Sequence, residues 1–258
     1  MRNKLMMCAV AGLILVLAGV AQATVTTVAL YHMGEDGDDL NVGLIAATGT
    51  DAAMVSRGTS SIETGSSGAA GSTKYLQTQQ GRWSAPTYLT GTSTNWGMSA
   101  WLLLPPDPAP ARPNYMAVSN GNYYQMLSIW DTNPNGWIHT GNYAPVTEWG
   151  TWVHAAIVYN GSNNREFYLN GVQVGTGQNA NSTNPVQAAG GYQAFWIGTG
   201  NANTGGEWLG GIDEVHVFSF EAGAFNISDV YQTTIPEPAT MSLLAIGGIA
   251  ALIRRKRS

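Results

Sequence analysis

Cysteine is almost absent from this chain of 258 residues, which contains only Cys8. That residue lies inside an N-terminal apolar stretch, so the rest of the chain has no thiol. The absence excludes disulfides, thiolate metal sites and a cysteine nucleophile from that remainder. Stability must therefore come from core burial, and a domain of this size buries roughly 70% of its unfolded surface.

Charged residues are also scarce, at 10% of the chain. Six of the eleven basic residues lie in the two terminal stretches, whereas fifteen of the sixteen acidic residues lie between them. The central region therefore has a net charge of about −10 and no basic stripe, which argues against nucleic acid and anionic lipid as partners. Nine Trp and eleven Tyr accompany many small polar residues, a composition typical of an extracellular β-domain.

Motifs for common catalytic centres are missing too. The chain contains no Gly-x-Ser-x-Gly elbow, phosphate-binding loop or His-Glu-x-x-His pair. Its four histidines, His32, His139, His154 and His216, are far apart in sequence and fall in predicted strands. A metal centre built from them has no support from their spacing. We expect them to pack, with His154 and His216 hydrogen-bonded within the sheet.

The strongest structural signal is the stretch 149–171, WGTWVHAAIVYNGSNNREFYLNG. Residues 151–159 divide as a strand between two faces, one with Trp152, His154, Ala156 and Val158, the other with Val153, Ala155, Ile157 and Tyr159. A strand that is apolar on both faces is usually covered on both sides, which predicts a central position. Asn170-Gly171 between two alternating runs then predicts a two-residue hairpin.

Other strands follow at intervals of about ten residues, with turn signals between them, which favours an antiparallel sandwich over βαβ units. The pattern predicts a first strand over 24–33, with Val25, Thr27, Ala29 and Tyr31 on one face. It predicts further strands over 95–104 and 208–220. Residues 221–231 are expected to form a short helix with Phe225 and Val230 available for packing.

Four segments carry a family resemblance: 152–161, 167–171, 195–198 and 209–218. They follow the order Trp-x-His, apolar strand, Tyr-Asn-Gly, Tyr-Leu-Asn-Gly, Trp-Ile-Gly and Gly-Ile-Asp-Glu-Val. In this order they resemble the LamG-like jelly-roll domains of the concanavalin A-like superfamily. The resemblance implies an all-β, two-sheet antiparallel jelly-roll sandwich over residues 24–232.

The same resemblance implies a calcium site. In relatives, calcium often lies at the sandwich rim, between an N-terminal acidic loop and the Asp of the late Ile-Asp-Glu strand. Here the loop is Gly-Glu-Asp-Gly-Asp-Asp at 34–39 and the late residue is Asp213. Carboxylate oxygens suit Ca²⁺, so Asp36, Asp39 and Asp213 are the predicted ligands. The alternative is an acidic turn that is simply solvated.

Carbohydrate binding is predicted for two turn-rich segments, 130–143 and 201–208, where aromatic rings that stack on sugars accompany amides that bond hydroxyls. Trp137, Tyr143 and Trp208 are the candidates, and the alternative is that these rings pack in the core or at the rim.

Some superfamily members are instead glycoside hydrolases, which need two carboxylates flanking the scissile bond. Their Glu-x-Asp-x-x-Glu string does not occur here. Asp213 and Glu214 are adjacent, so an ordinary strand would point them to opposite faces.

Both termini resemble targeting segments. Residues 1–23 have the charged, apolar and Ala-x-Ala order of a secretory signal peptide, with an uncleaved anchor as the alternative. Residues 235–258 combine Pro236, Glu237 and Pro238 with an apolar run and a basic cluster, and they resemble a PEP-CTERM sorting signal. This resemblance implies an exosortase-type processing enzyme as a partner, transient anchoring in the inner membrane, and a Gram-negative-type bacterium. The alternative is a plain tail anchor.

These observations together predict an exported, non-catalytic jelly-roll domain for adhesion, matrix structure or binding of an extracellular polysaccharide. It would be displayed at the cell surface or in the extracellular matrix. A structural calcium ion is the one cofactor expected. The alternative function is a carbohydrate-active enzyme of the same superfamily, with catalytic residues outside the usual motif.

Overall fold

A computed structural model describes residues 25–33, 48–49, 55–56, 60–64, 68–69, 72–79, 83–84, 95–103, 114–119, 126–130, 150–161, 164–178, 195–198 and 208–231. The predicted signal peptide and sorting tail lie outside these residues. None of the described helical segments has the length and apolarity needed to span a membrane.

The described residues include fourteen strands and the short 3₁₀ helix near the C-terminus, with the strands arranged in two antiparallel sheets. The strands are β1 (Val25–Tyr31), β2 (Thr48–Gly49), β3 (Val55–Ser56), β4 (Ser60–Thr64), β5 (Lys74–Gln79), β6 (Trp83–Ser84), β7 (Asn95–Leu103), β8 (Asn114–Ser119), β9 (Met126–Trp130), β10 (Trp152–Asn160), β11 (Asn164–Leu169), β12 (Val172–Gln178), β13 (Trp196–Ile197) and β14 (Leu209–Phe220). The 3₁₀ helix is Ile227–Asp229.

One sheet has nine strands, with the order β12-β11-β10-β7-β14-β1-β2. β5 also pairs with β14, and β4 pairs with β5. The other sheet has the order β3-β6-β13-β8-β9. The all-β, two-sheet antiparallel prediction is therefore confirmed.

β10 is a central strand, as its sequence predicts. It pairs with β7 along its whole length, from Trp152 opposite Leu103 to Asn160 opposite Asn95. On its other side it pairs with β11. Residues 153–159 are all buried, because both faces of the strand are covered.

The main core lies between the two sheets, on the inner face of the nine-stranded sheet. Met98, Ala100 and Leu102 of β7 belong to the same buried cluster as Val118 of β8 and Leu127 of β9. Aromatic rings add to this layer: the rings of Trp96 and Tyr159 are stacked with centroids 4.5 Å apart. Burial of such large side chains, at about 25 cal/mol per Å² of apolar surface, supplies the stability of a fold without disulfides.

A second apolar cluster covers the outer face of the nine-stranded sheet. Ala156 and Val158 of β10, together with Phe218 of β14, pack there against the C-terminal segment, residues 224–231. The sequence predicts a short helix over 221–231, and the structure confirms it only in part: Phe225 and Val230 pack as expected, but only Ile227–Asp229 is helical, as a 3₁₀ turn. The backbone explains the difference: Gly223 has φ +75 and the capping residue Asn226 is extended, so no longer helix can form.

A β-bulge in β1 also overturns the prediction that one face carries Val25, Thr27, Ala29 and Tyr31. The register against β14 shifts between Thr27 and Ala29, which leaves Val28 as the extra residue. Ala29 and Tyr31 therefore lie in the main core, whereas Val25 packs against the outer cluster.

Candidate functional site

The candidate site is a polar cluster on the outer face of the nine-stranded sheet, built around a bulge in β14. The register of β14 against β7 shifts between Asp213 and His216. Glu214 lies inside this bulge with φ 48, in the left-handed region. Residues other than glycine adopt this conformation at a cost of order 1–3 kcal/mol. The bulge falls where the neighbour of β14 changes from β5, whose pairing reaches Ile212, to β1, whose last residue lies opposite Val215.

Asp213 is fully buried at the start of the bulge. Its Oδ2 accepts a hydrogen bond from the backbone N–H of Ala69 at 3.1 Å, and its Oδ1 accepts one from the N–H of Glu214 at 2.9 Å. The carboxylate therefore ties residues 68–69 to β14.

Of the predicted calcium ligands, Asp213 alone is described, and Asp36 and Asp39 lie outside the described residues. Both oxygens of Asp213 accept a hydrogen bond from a backbone N–H, and carboxylate oxygens are the ligand type that Ca²⁺ takes. Within the described part of the chain, no group of three or more His, Cys, Asp or Glu side chains is arranged to hold a metal ion. Calcium binding therefore stays a prediction that depends on the acidic loop.

Glu214 is engaged by His32, which follows β1. The Nδ1 atom of His32 lies 2.7 and 2.8 Å from the two carboxylate oxygens, and both side chains are largely shielded from solvent. Nothing in the sequence pattern indicates this pair, because 182 residues separate the partners and only the strand register brings them together.

His216 extends the cluster across β1 and β14. Its Nε2 lies 2.9 Å from Oγ1 of Thr27, in a hydrogen bond whose direction follows the tautomer of the imidazole. Burial, and then the nearby charge of His32, lower the pKa of His216 to about 4. Its ring is therefore neutral at physiological pH.

His154 on β10 lies beneath the C-terminal segment. Burial, and then the charge of His216, lower its pKa to about 3, and a hydrogen bond to the Val230 backbone opposes this shift. The imidazole packs between the rings of Trp101 and Tyr231, with centroid distances of 5.4 and 5.2 Å. Among the residues that the structure describes, its Nδ1 atom has no hydrogen-bond partner. Both histidines therefore pack within the fold, whereas His139 lies outside the described residues.

The structure corrects the predicted role of Trp208 as a sugar-stacking residue. Its side chain is fully buried and its Nε1 donates a hydrogen bond to the carbonyl of Gly211 at 3.1 Å. Its backbone carbonyl also accepts from the hydroxyl of Thr78. A ring in this position packs in the core and offers no face to a sugar. The other two candidates, Trp137 and Tyr143, lie outside the described residues.

Glu166 on β11 is the third strand carboxylate whose side chain the structure describes. It accepts hydrogen bonds from Nδ2 of Asn160 at 2.9 Å and from the hydroxyl of Tyr168 at 2.5 Å. Burial, and then these interactions with Glu166, raise the pKa of Tyr168. The carboxylate of Glu166, like those of Asp213 and Glu214, is therefore hydrogen-bonded to other groups of the folded domain.

The two-sheet antiparallel fold agrees with the family assignment of the chain. The family model of the concanavalin A-like lectin/glucanases superfamily matches residues 70–228, so the chain belongs to this family. The model of the PEP-CTERM protein-sorting motif matches residues 234–257, a range that includes Pro236, Glu237 and Pro238. This motif indicates export, transient membrane anchoring and processing by an exosortase-type system.

Solved structures share the fold at low sequence identity. Domain 4 of AbnA, an extracellular GH43 arabinanase from Geobacillus stearothermophilus, in complex with arabinotriose, is 16% identical with a TM-score of 0.55. The match covers 81% of this chain and all of that one. The binding domain of botulinum neurotoxin serotype D is 15% identical with a TM-score of 0.51, over 80% of this chain and 51% of that one. A comparison with curated proteins finds no significant match.

Proposed function

We propose that this protein is an exported, non-catalytic jelly-roll domain that binds an extracellular polysaccharide and serves in adhesion or in the matrix at the cell surface. The observation that carries the proposal is that Asp213, Glu214 and Glu166, the strand carboxylates whose side chains are described, are all bonded to groups of the fold itself. The sorting motif supports a location outside the cytoplasm.

Hydrolysis makes demands that these carboxylates do not meet. A glycoside hydrolase needs one carboxyl group that protonates the leaving oxygen and a second that activates water or attacks the sugar. Asp213 is fully buried, so it is out of reach of a polymer on the surface. Glu214 is held by His32, and Glu166 by Asn160 and Tyr168. These partners fix the carboxylates as parts of the scaffold.

The likeness to domain 4 of the arabinanase supports a sugar as the ligand, because that domain was solved with arabinotriose. Trp137 and Tyr143 remain the proposed contact residues, since aromatic faces stack on sugar rings. Trp208 is left out of this set because its ring is buried.

The test combines a glycan array that includes arabino-oligosaccharides with a reducing-sugar assay, both on the exported protein. We expect binding without sugar release, and loss of binding in Trp137→Ala or Tyr143→Ala at an unchanged melting temperature. Trp208→Phe is the matched control, in which binding should persist while the melting temperature falls. Sugar release that disappears in Glu214→Gln would instead establish the enzyme alternative.

A further inference from the structure

An aromatic surface lies on the outer face of the nine-stranded sheet, beside the part that the C-terminal segment covers. Gly211 of β14 is at its centre. A Cβ atom added to this glycine would be 2.7 Å from Cη2 of Trp152 and 2.9 Å from Cδ2 of Tyr75. It would also lie 2.9 Å from Cβ of Leu103. The glycine therefore leaves a gap in the layer of side chains, and the two aromatic rings close over it.

The two rings come from strands that are not neighbours. Tyr75 lies on β5 and Trp152 on β10, and β14 and β7 run between these strands. The ring centroids are nevertheless 5.3 Å apart, with the ring planes at 84°. Two planes at this angle form a corner, so a third ring that stacks on one of them touches the other with its edge. Both rings are already held in place by the sheet, which lowers the entropy cost of binding a ligand.

An amide group borders this aromatic corner. Gln77 lies opposite Gly211 in the pairing of β5 with β14. It is two residues from Tyr75, so both side chains lie on the outer face, about 7 Å apart along the strand. Gln77, Tyr75 and Trp152 are all partly exposed. The surface therefore offers aromatic rings and a hydrogen-bonding amide to the solvent.

This combination of groups suits a sugar ring. The C–H faces of a sugar pack on aromatic rings, and an amide bonds its hydroxyl groups. A protein partner fits less well, because a stable protein interface buries about 800 Å² on each side around an apolar centre. The large apolar side chains that the described residues leave fully exposed, Val172 and Val174, lie elsewhere, on β12.

The charge of the domain favours one kind of polysaccharide. The surface is formed by uncharged residues: Tyr75, Gln77, Leu103, Trp152 and Gly211. The central region of the chain has a net charge of about −10, so it repels polymers that carry carboxylate or sulfate groups. A neutral polysaccharide therefore fits this surface best.

We propose that Tyr75, Trp152 and Gln77 form a binding surface for a neutral polysaccharide. One sugar ring stacks in the aromatic corner, and its hydroxyl groups bond to the amide of Gln77. This inference rests on the proposed function for the class of ligand. It adds a contact surface that does not include Trp137 or Tyr143.

The experiment measures binding of the exported protein to polysaccharides by affinity electrophoresis. Arabinan, a β-glucan and a galactan are the neutral probes, and polygalacturonate is the acidic probe. We expect at least one neutral probe to retard the protein, and polygalacturonate to have no effect. Tyr75→Leu and Trp152→Leu remove a ring face but keep an apolar cover over Gly211. Each should weaken binding about ten-fold, the loss typical of a central contact residue, whereas Tyr75→Phe should bind nearly as well as the native protein.

Gln77→Ala tests the amide at a partly exposed position, where the core is not disturbed. We expect binding about five-fold weaker, the loss expected for one hydrogen bond. Gln173→Ala is the matched control and should bind like the native protein. Gln173 is an exposed glutamine on β12 of the same sheet, five strand spacings or about 24 Å from β5. Thermal melts check that each variant is folded, and Gln77→Ala decides alone where a ring variant is not.

The inference is overturned if Tyr75→Leu, Trp152→Leu and Gln77→Ala all bind like the native protein. Loss of binding in Trp137→Ala or Tyr143→Ala would then leave the proposed function intact and remove only the surface at Gly211. Binding of polygalacturonate alone would overturn the neutral class of ligand. Self-association in sedimentation that Tyr75→Leu abolishes would identify a second copy of the chain as the occupant instead. A native protein that binds no polysaccharide would contradict both proposals.

Discussion

The ring of Tyr231 lies against the backbone of Gly171, so closely that a Cβ atom at Gly171 would be 2.5 Å from Cδ1 of the tyrosine. Gly171 has φ +77 and Asn170 has φ 47, the left-handed pair that a two-residue hairpin turn requires. Gly171 therefore has two roles. Its positive φ allows the turn between β11 and β12, and its lack of a side chain leaves room for the ring of Tyr231.

Gly171→Ala is expected to destabilise the domain for two separate reasons. A side chain at positive φ costs about 1–2 kcal/mol, and the clash with Tyr231 adds about 1–3 kcal/mol. Gly150→Ala is the matched control, because Gly150 has φ +73 but nothing within 4 Å of its added Cβ. Chemical denaturation should show the larger loss for Gly171→Ala, and Tyr231→Ala should remove most of the excess. Equal losses in the two alanine variants would contradict this packing.

Acid is expected to destabilise the domain through His154 and His216. Their pKa values, about 3 and about 4, lie below the unfolded value of 6.5, so between these limits the unfolded chain binds more protons. The free energy of unfolding should therefore fall as pH drops below about 6.5, by up to about 1.4 kcal/mol per pH unit for each histidine. The fall should level off only as the folded protein itself takes up protons, near pH 4 and then 3.

Denaturant titrations at pH 7, 6 and 5 measure this slope. His216→Gln removes one titrating ring and keeps a polar partner for Thr27, so we expect it to remove roughly half of the slope. A slope that is unchanged in this variant would show that other groups cause the acid sensitivity.

Trp208 is expected to affect stability because its ring is fully buried. Trp208→Ala should cost about 3–5 kcal/mol through lost burial and a cavity. Trp208→Phe retains most of the apolar surface and loses the hydrogen bond to Gly211, so about 1–3 kcal/mol is expected. Urea unfolding of the two variants provides the comparison, and a Trp208→Phe variant as stable as the native protein would show that this bond contributes nothing.

Calcium is predicted to raise the melting temperature in a way that a chelator reverses. Asp36→Asn and Asp39→Asn should abolish this rise without changing the melt in chelator. Asp213→Asn should lower the melt even in chelator, because its amide group would replace an oxygen that accepts a backbone N–H. A native protein whose melt is the same with and without Ca²⁺ would remove all three residues from the site.

The sequence predicts those parts of the fold that depend on local pattern. β10 is apolar on both faces, and its two sets of residues separate in the structure as expected, Ile157 into the main core and Val158 into the outer cluster. The Asn170-Gly171 hairpin forms because both residues tolerate positive φ. The family resemblance is confirmed by the match over residues 70–228.

The features that the sequence does not predict depend on register. Simple alternation placed Thr27 and Tyr31 on one face, but the bulge in β1 separates them. The bulge at Glu214 likewise has no glycine to signal it, and the bond between Glu214 and His32 forms only once β1 lies beside β14. Trp208 shows a related difficulty, since an aromatic residue beside a turn suits a binding face and a core equally well.

The pairing of β1 with β14 bears on how this protein matures. Val25 lies opposite Phe220, so the earliest described strand pairs along its length with the latest one, and its other neighbour is the two-residue strand β2. β5 and β7 also pair with β14. A chain threaded through an export channel from its N-terminus presents β14 last, and such distant pairings form slowly. The exported polypeptide thus stays incomplete until almost all of it has emerged, which makes the period just after translocation the time of greatest exposure to proteases and aggregation.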